Sequence, residues 1–367
     1  MSTNRYAPKI TSKQLMLLIV SSRVAVMTIF LPAIGTHSNA KDAWMSAILS
    51  GLIGLLLTWM VVSLARFHPN RTLVQLCISL LGKWLGSLLV VIFLWFFLHV
   101  TIITVRQFAE ILNTALMPET PVSFFIVFVI VAVIFSVYRG LEAITRSNTI
   151  TLPISLASIL LILILVRKDI HTEAILPMLE DGWMPVIMGS VVPLAWHGEI
   201  ILILMLYPYV SDKEHVLKSS LFAVLINTIV LLLISIAVIG VFGSDEALHL
   251  TLPFFSLVRM ISVANFFERI EAMMVAVWIS LLLTKMCIYL YAGVIGMGQW
   301  LHLRSYKFLI IPMSVLSLIL SYVSFDSISD IKHFLSPTYW GVYALTISTI
   351  LPMLLLIATI FLKRKRS

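Results

Sequence analysis

The sequence predicts an all-α membrane protein with ten transmembrane helices arranged as two inverted halves. Three observations carry that prediction. Apolar residues make up 60% of the 367-residue chain and charged residues only 11%, with a mean hydropathy of +1.06, whereas soluble domains carry about 25% charged residues. Runs of roughly 20 apolar residues, enough to cross the hydrocarbon of a bilayer as helix, recur along nearly the whole chain. Basic residues, finally, crowd into alternate connecting segments, as the positive-inside rule requires.

The spans follow in order. A polar head, "MSTNRYAPKITSKQ", precedes span one (about 14–35) and lacks the pattern of a cleavable signal peptide. Span two covers about 43–65, span three 85–113, span four 122–138 and span five 147–166. Span six (184–207) is interrupted by "PLAWHGE" at 193–199, and span one by "SSRVA" at 21–25. Spans seven to ten cover about 217–242, 267–298, 306–323 and 340–362, with spans three and eight longer than a bilayer requires. The whole chain, 1–367, reads as one membrane domain, with halves at about 10–168 and 175–362 and a basic tail at 363–367.

An even number of spans places both termini on one side. With that side cytoplasmic, 16 of the 25 basic residues fall in inner segments, including Arg66, Arg71, Lys213 and the tail Lys363 to Arg366. Lys41, Arg167, Lys168, Arg259 and Lys332 are the outer ones. This distribution absorbs most of the net charge of +8, which argues against a nucleic-acid partner, whose footprint is a clustered basic face. The tail "KRKRS" is expected to touch anionic lipid.

Five spans per half make the two halves inverted relative to each other, an arrangement typical of secondary transporters. Their ligand sites lie near the midplane, where the first helix of each half is broken, and the interruptions in spans one and six fall at those equivalent places. Pro193 lacks an amide donor and Gly198 is permissive, so breaks are expected at 21–25 and 194–198. The expected ligand-binding set is Ser21, Ser22, Arg23, Val24 and Ala25 with Ala195, Trp196, His197, Gly198 and Glu199, walled by His99 and Trp278. An ionisable group at the centre of a span costs about 2.5–3.5 kcal/mol or more unless it faces protein or water. Arg23 cannot shed its charge and needs Glu199, Glu110, a carbonyl or a ligand carboxylate as partner.

In span three, His99, Arg106 and Glu110 share a face, and the last two are spaced as an i,i+4 ion pair. In span eight, Glu268, Glu271, Trp278, Lys285 and Tyr289 share another. Lys285 lies about 21 Å beyond Glu271 along the helix, near the midplane. Its ammonium is expected either to donate to carbonyls freed in span one, in place of a coupling cation, or to pair with a buried glutamate. Arg106, Glu110, Glu268 and Glu271 complete a group with gating or cation-substituting roles.

Catalysis finds no foothold in the pattern. The nine histidines show no metal-ligand spacing, no nucleophile–base pair can be argued, and no GxxxxGK[ST] loop supports an ATP-driven pump. No cofactor is expected. Cys77 and Cys287 are too few for a disulfide framework or zinc site and read as packing residues.

Four stretches carry a family resemblance: "ITSKQLMLLIV" at 10–20, "AKDAWMSAILSGLIGLLLTW" at 40–59, "ILPMLEDGWMPVIMGSVVPLAWHGEIILILMLYPYV" at 175–210 and "PFFSLVRMISVANFFERIEAMMVAVWISLLLTKMCIYLYA" at 253–292. They resemble the B subunits of bacterial spore germinant receptors, the spore permease family of the amino acid–polyamine–organocation superfamily. Gly198, Glu199, Glu268, Arg269, Glu271, Trp278 and Lys285 match family positions. The resemblance implies a LeuT-type 5+5 inverted repeat with spans one and six broken. It implies a sensor of a small nutrient germinant such as an amino acid, assembled with an A subunit and a lipoprotein C subunit in the spore inner membrane. A secondary amino-acid transporter of the same fold is the alternative. Members usually carry small, glycine-bearing residues where this chain has Ser21 to Val24.

Overall fold

The computed structural model describes residues 9–30, 41–261 and 270–364. Among them, nine helices are long and apolar enough to cross a membrane. They are Ala43–Phe67 (span two), Leu73–Thr114 (three), Val122–Arg139 (four), Leu141–Asp169 (five), Trp183–Tyr209 (six), Lys213–His249 (seven), Met273–Trp300 (eight), Tyr306–Val323 (nine) and Pro337–Lys363 (ten). Span one is the helix Ser12–Phe30, whose 19 residues give a length of about 28 Å. Every residue from Leu18 to Thr28 is buried. Span one therefore sits inside the bundle, packed on spans five, seven and eight, with its polar residues turned to partners on those spans and span six.

Spans three and eight pack along each other, and span two packs on spans six and seven. The most apolar 18-residue window of span six is 78% buried and that of span ten only 28%, which sorts central from peripheral helices. On the perimeter, Leu56, Phe128, Ile164, Val323 and Phe361 are all more than half exposed, as lipid-facing side chains are.

Span three begins earlier than hydropathy suggests. Thr72 caps it in a reciprocal box with Gln75, and Gly82, at φ 76°, turns this lead-in segment from the membrane part. Gly243, also at φ 76°, does the same near the end of span seven. Such a backbone is open to glycine and strained for other residues.

The connections segregate into two ends, as the alternation of basic residues requires. At one end the Ile10 amide donates to the Tyr209 carbonyl at 3.0 Å, and Ser12 donates to Asp212 through its amide at 2.7 Å and its hydroxyl at 2.6 Å. Lys213 Nζ reaches the Pro69 carbonyl at 2.7 Å. Burial works against the Asp212 carboxylate, but the hydrogen bonds from Ser12 outweigh it and hold the group below its ordinary value. At the other end the Leu179 amide donates to Asp42 at 3.2 Å, and Lys332 Nζ donates to the Leu250 carbonyl at 2.8 Å.

The two expected helix breaks fare differently. Span one runs as unbroken α-helix from Ser12 to Phe30, so the break at 21–25 is not there. That segment holds neither proline nor glycine, and its hydroxyls find partners without opening it. Ser22 Oγ donates to the Ile19 carbonyl at 3.1 Å, and Ser21 Oγ donates to Asn148 Oδ1 of span five. Span six is α-helical through Pro193 to Gly198 and then tightens to a 3-10 turn at Glu199–Ile201. The irregularity therefore begins just after the expected 194–198, and it is a tightening with right-handed helical dihedrals, not an opening.

Candidate ligand site at the centre of the bundle

At the start of the 3-10 turn the Glu199 amide is shared between the Trp196 and His197 carbonyls, and the His197 carbonyl also has room for a donor from outside span six. That second donor comes from span one. Arg23 Nη2 reaches the carbonyl at 2.8 Å, and Arg23 Nη1 lies 3.4 Å from His197 Nδ1. Span one thus meets span six through a fixed guanidinium where two opened backbones were expected to face each other.

Two residues on, Glu199 gathers span eight. Lys285 Nζ donates to Glu199 Oε1 at 2.9 Å, and Tyr289 Oη donates to Glu199 Oε2 at 3.0 Å. The four-residue step between Lys285 and Tyr289 puts both on one helical face, so one carboxylate engages both. Of the two expectations for Lys285, the pair with a buried glutamate is the one formed. Its hydrogen bond runs to span six instead of to a carbonyl of span one.

Arg23, His197, Glu199, Lys285 and Tyr289 are all at most 2% exposed. The buried charges in this set are two cations and one carboxylate. Lys285 holds the carboxylate, and among the described residues Arg23 forms no ion pair, only its bonds to His197.

Beside this set lies a cavity of about 10 Å³, room for about one water molecule. Val26 of span one, Thr104 and Gln107 of span three, and Trp196 and Glu199 of span six contribute to its wall. Lys285 closes it from span eight and Trp340 from span ten. The Trp340 indole N–H is buried without a hydrogen-bond acceptor, as is His197 Nε2. Span ten departs from α-geometry here, with π-helical turns at Pro337–Gly341 and Thr346–Ile350, a distortion frequent at functional sites.

Other expected site residues lie apart. Val24 and Ala25 are buried packing residues, and the Val24 carbonyl accepts from Thr28 Oγ1 at 2.8 Å. Ala195 is buried within span six. Gly198 faces span ten, where an added Cβ would collide with Ser348 Oγ, so its role in the fold is close helix approach. His99 bonds Tyr343 Oη at 3.0 Å within an aromatic group containing Trp95 and Phe334, away from the cavity wall. Arg106 and Glu110 form the i,i+4 pair at 2.7 Å, and Arg106 Nη1 also donates to the Tyr322 carbonyl at 3.1 Å, fixing span three to the end of span nine. Trp278 Nε1 donates to Thr28 Oγ1 at 3.0 Å, with its ring against Phe254 and Phe255. Glu268 and Arg269 lie outside the described residues, as does the side chain of Glu271. Among the described residues no group of three His, Cys, Asp or Glu is placed to hold a metal ion.

Sequence reasoning missed Val26, Thr104, Gln107 and Trp340. Thr101, Thr104 and Gln107 stand three residues apart, a polar stripe on an apolar helix that could have marked the wall. Val26 and Trp340 offered no such signal.

A sequence model described as spore germination protein, of the spore permeases, matches residues 9–330. The chain belongs to this family. Spore germination protein YndE of Bacillus subtilis (strain 168) is 27% identical over 295 residues, which cover 79% of this chain and 81% of that one. Spore germination protein KB of the same organism is 26% identical over 317 residues, covering 85% and 84%. Among solved structures, MhsT in complex with L-phenylalanine superposes with a TM-score of 0.68 at 13% identity, covering 96% of this spore permease and 98% of MhsT. The fold is therefore the LeuT type, and in this spore permease the central charge set joins spans one, six and eight of it.

Proposed function

We propose that this chain is the nutrient-sensing subunit of a spore germination receptor and binds a small carboxylate-bearing germinant, such as an amino acid, at the central cavity. The observation that carries this reading is the buried charge set, in which one carboxylate stands against two cations. Lys285 and the unpaired Trp340 N–H stand on the cavity wall, and a ligand carboxylate admitted there would offset the excess positive charge of the set, with Arg23 behind the wall. Carboxylates are well matched to guanidinium forks. The cavity holds about one water, so a nutrient has to bind a wider form in which span ten or its approach at Leu335 has moved. A ligand shifts a conformational equilibrium only by its differential affinity for the two forms, and here the wider form alone admits it. Binding is then itself the signal, and no chemical step is involved.

Within this reading, the two repeats are 10–168 and 175–362, and the end carrying the basic connections, with both termini, faces the cytoplasm. The protein lies in the spore inner membrane beside an A subunit and a lipoprotein C subunit. Arg106 and Glu110 brace the outer end.

The test is thermal melting of the purified chain against amino acids and the matching amines that lack the carboxylate. At 100 times its Kd a ligand stabilises by about 2.7 kcal/mol, so an amino acid should raise Tm by several degrees and its amine should not. Equal shifts from both would overturn the carboxylate assignment. The shared fold with MhsT supports a second reading, a secondary amino-acid transporter, which predicts uptake of labelled amino acid into liposomes containing this chain alone.

A further inference from the structure

At the end of the bundle where the connections after spans two and six meet, a second cavity of about 200 Å³ opens beside span ten. Its wall includes Phe67, His68, Arg71, Ser79, Thr359 and Lys363. Three of these are basic, two carry hydroxyls, and no carboxylate lines the cavity. His68 Nε2 lies 3.4 Å from Thr359 Oγ1, a contact that already joins the end of span two to span ten. Lys363 Nζ lies 5.0 Å from the centre of the Phe67 ring, which keeps the ammonium over the opening. Among the described residues neither Arg71 nor Lys363 forms an ion pair within 4.0 Å. Burial lowers the proton affinity of His68, and Arg71 and Lys363 lower it further.

We propose that this cavity binds a phosphate-bearing anion, either the headgroup of an anionic phospholipid or free phosphate, and that the anion clamps the end of span ten to spans two and three. Arginine supplies a planar fork for phosphate oxygens and lysine a mobile point charge. The Thr359 and Ser79 hydroxyls on the same wall donate to the Leu355 carbonyl at 2.8 Å and the Leu76 carbonyl at 2.9 Å, so recognition of the anion falls to the basic groups. The rim is apolar on the lipid side, where Leu362 is 42% exposed, so an acyl chain has a path away from a seated headgroup. This goes beyond the general attraction of a basic tail for an anionic leaflet, because the basic groups come from the connection after span two and from the end of span ten, and together with Ser79 of span three they line a defined volume.

The experiment uses the full-length protein in detergent. Native mass spectrometry with added phosphatidylglycerol or phosphatidylcholine measures lipid retention, and thermal melting in millimolar inorganic phosphate at constant ionic strength measures binding of the free anion. Preferential retention of phosphatidylglycerol supports the headgroup, and a rise in Tm with phosphate supports the soluble anion. In either case Arg71→Gln with Lys363→Gln should weaken binding about fivefold or more per charge removed. The charge-conserving pair Arg71→Lys with Lys363→Arg should keep most of it, which separates loss of the site from loss of the fold. Equal retention of both lipids with no response to phosphate would overturn the proposal, as would binding undiminished in the glutamine variant.

Discussion

Glu199 and Lys285 meet at 2.9 Å with side chains only 1% and 3% exposed. Removing one member of a buried pair leaves an uncompensated charge and costs about 3–5 kcal/mol, whereas removing both charges together costs much less. Lys285→Met should therefore lower the stability of the purified protein by about 3 kcal/mol, and Glu199→Gln, which leaves two buried cations without the carboxylate, by at least as much. The double variant should lose less than the sum, with a coupling of about 1 kcal/mol or more, measured by denaturation in detergent. Strictly additive losses would show that the pair contributes nothing as a pair. The depth of Lys285 and the face it shares with Tyr289 were legible in the sequence, because both follow from helical spacing. The partner stayed open, because spacing within one helix says nothing of which neighbour that face meets. Arg23 shows the same limit. Its need for a partner was legible, but the choice of the His197 carbonyl depends on how span six packs against span one, which spacing within either helix does not carry.

Helix breaks illustrate what a sequence can and cannot show about an element. Hydropathy located the spans closely, since lipid-facing and core-facing residues alike must be apolar. The lead-in to span three escaped it, because Leu73 to Leu81 is continuous with the span and only the left-handed Gly82 separates them. Serines at 21 and 22 resembled an interruption by polarity, yet a helical serine can return its hydrogen bond to its own turn or a neighbour, and both do. Gly198 was legible as special for a different reason than the actual one. It sits against the π-helical turn of span ten, where an added Cβ would strike Ser348 Oγ. Gly198→Ala should therefore destabilise by about 1–3 kcal/mol through overpacking, and Ser348→Gly in the same chain should recover most of the loss. Melting of the two variants decides the matter. A double variant no more stable than Gly198→Ala would assign the glycine to the backbone's needs and not to the close approach.

At the scale of the whole molecule, the central cavity sets the balance between a closed form and a wider one. Its volume of about 10 Å³ cannot admit an amino acid, so under the proposed function the apparent affinity is the intrinsic affinity divided by the fraction of molecules already wide enough. That fraction can be altered without touching any charged group. Val26 lies on the cavity wall and is 1% exposed, and its side chain makes no hydrogen bond. Val26→Ala removes packing atoms from the closed form, a loss of order 1–3 kcal/mol for a truncated core residue, and the wider form suffers less because its wall is already parted. Val26→Ala should then lower the nutrient concentration needed for half-maximal response by about tenfold for each 1.4 kcal/mol of difference. Val26→Ile, which adds one methylene to a space the size of one water, strains the wider and closed forms alike if the wall yields freely. It favours the closed form, and raises that concentration, if the methylene fills the cavity. The decisive comparison is the pair of dose–response curves at matched membrane levels. Opposite shifts for alanine and isoleucine would tie the response to the volume of this cavity, and unchanged midpoints in both would place the conformational switch elsewhere in the bundle.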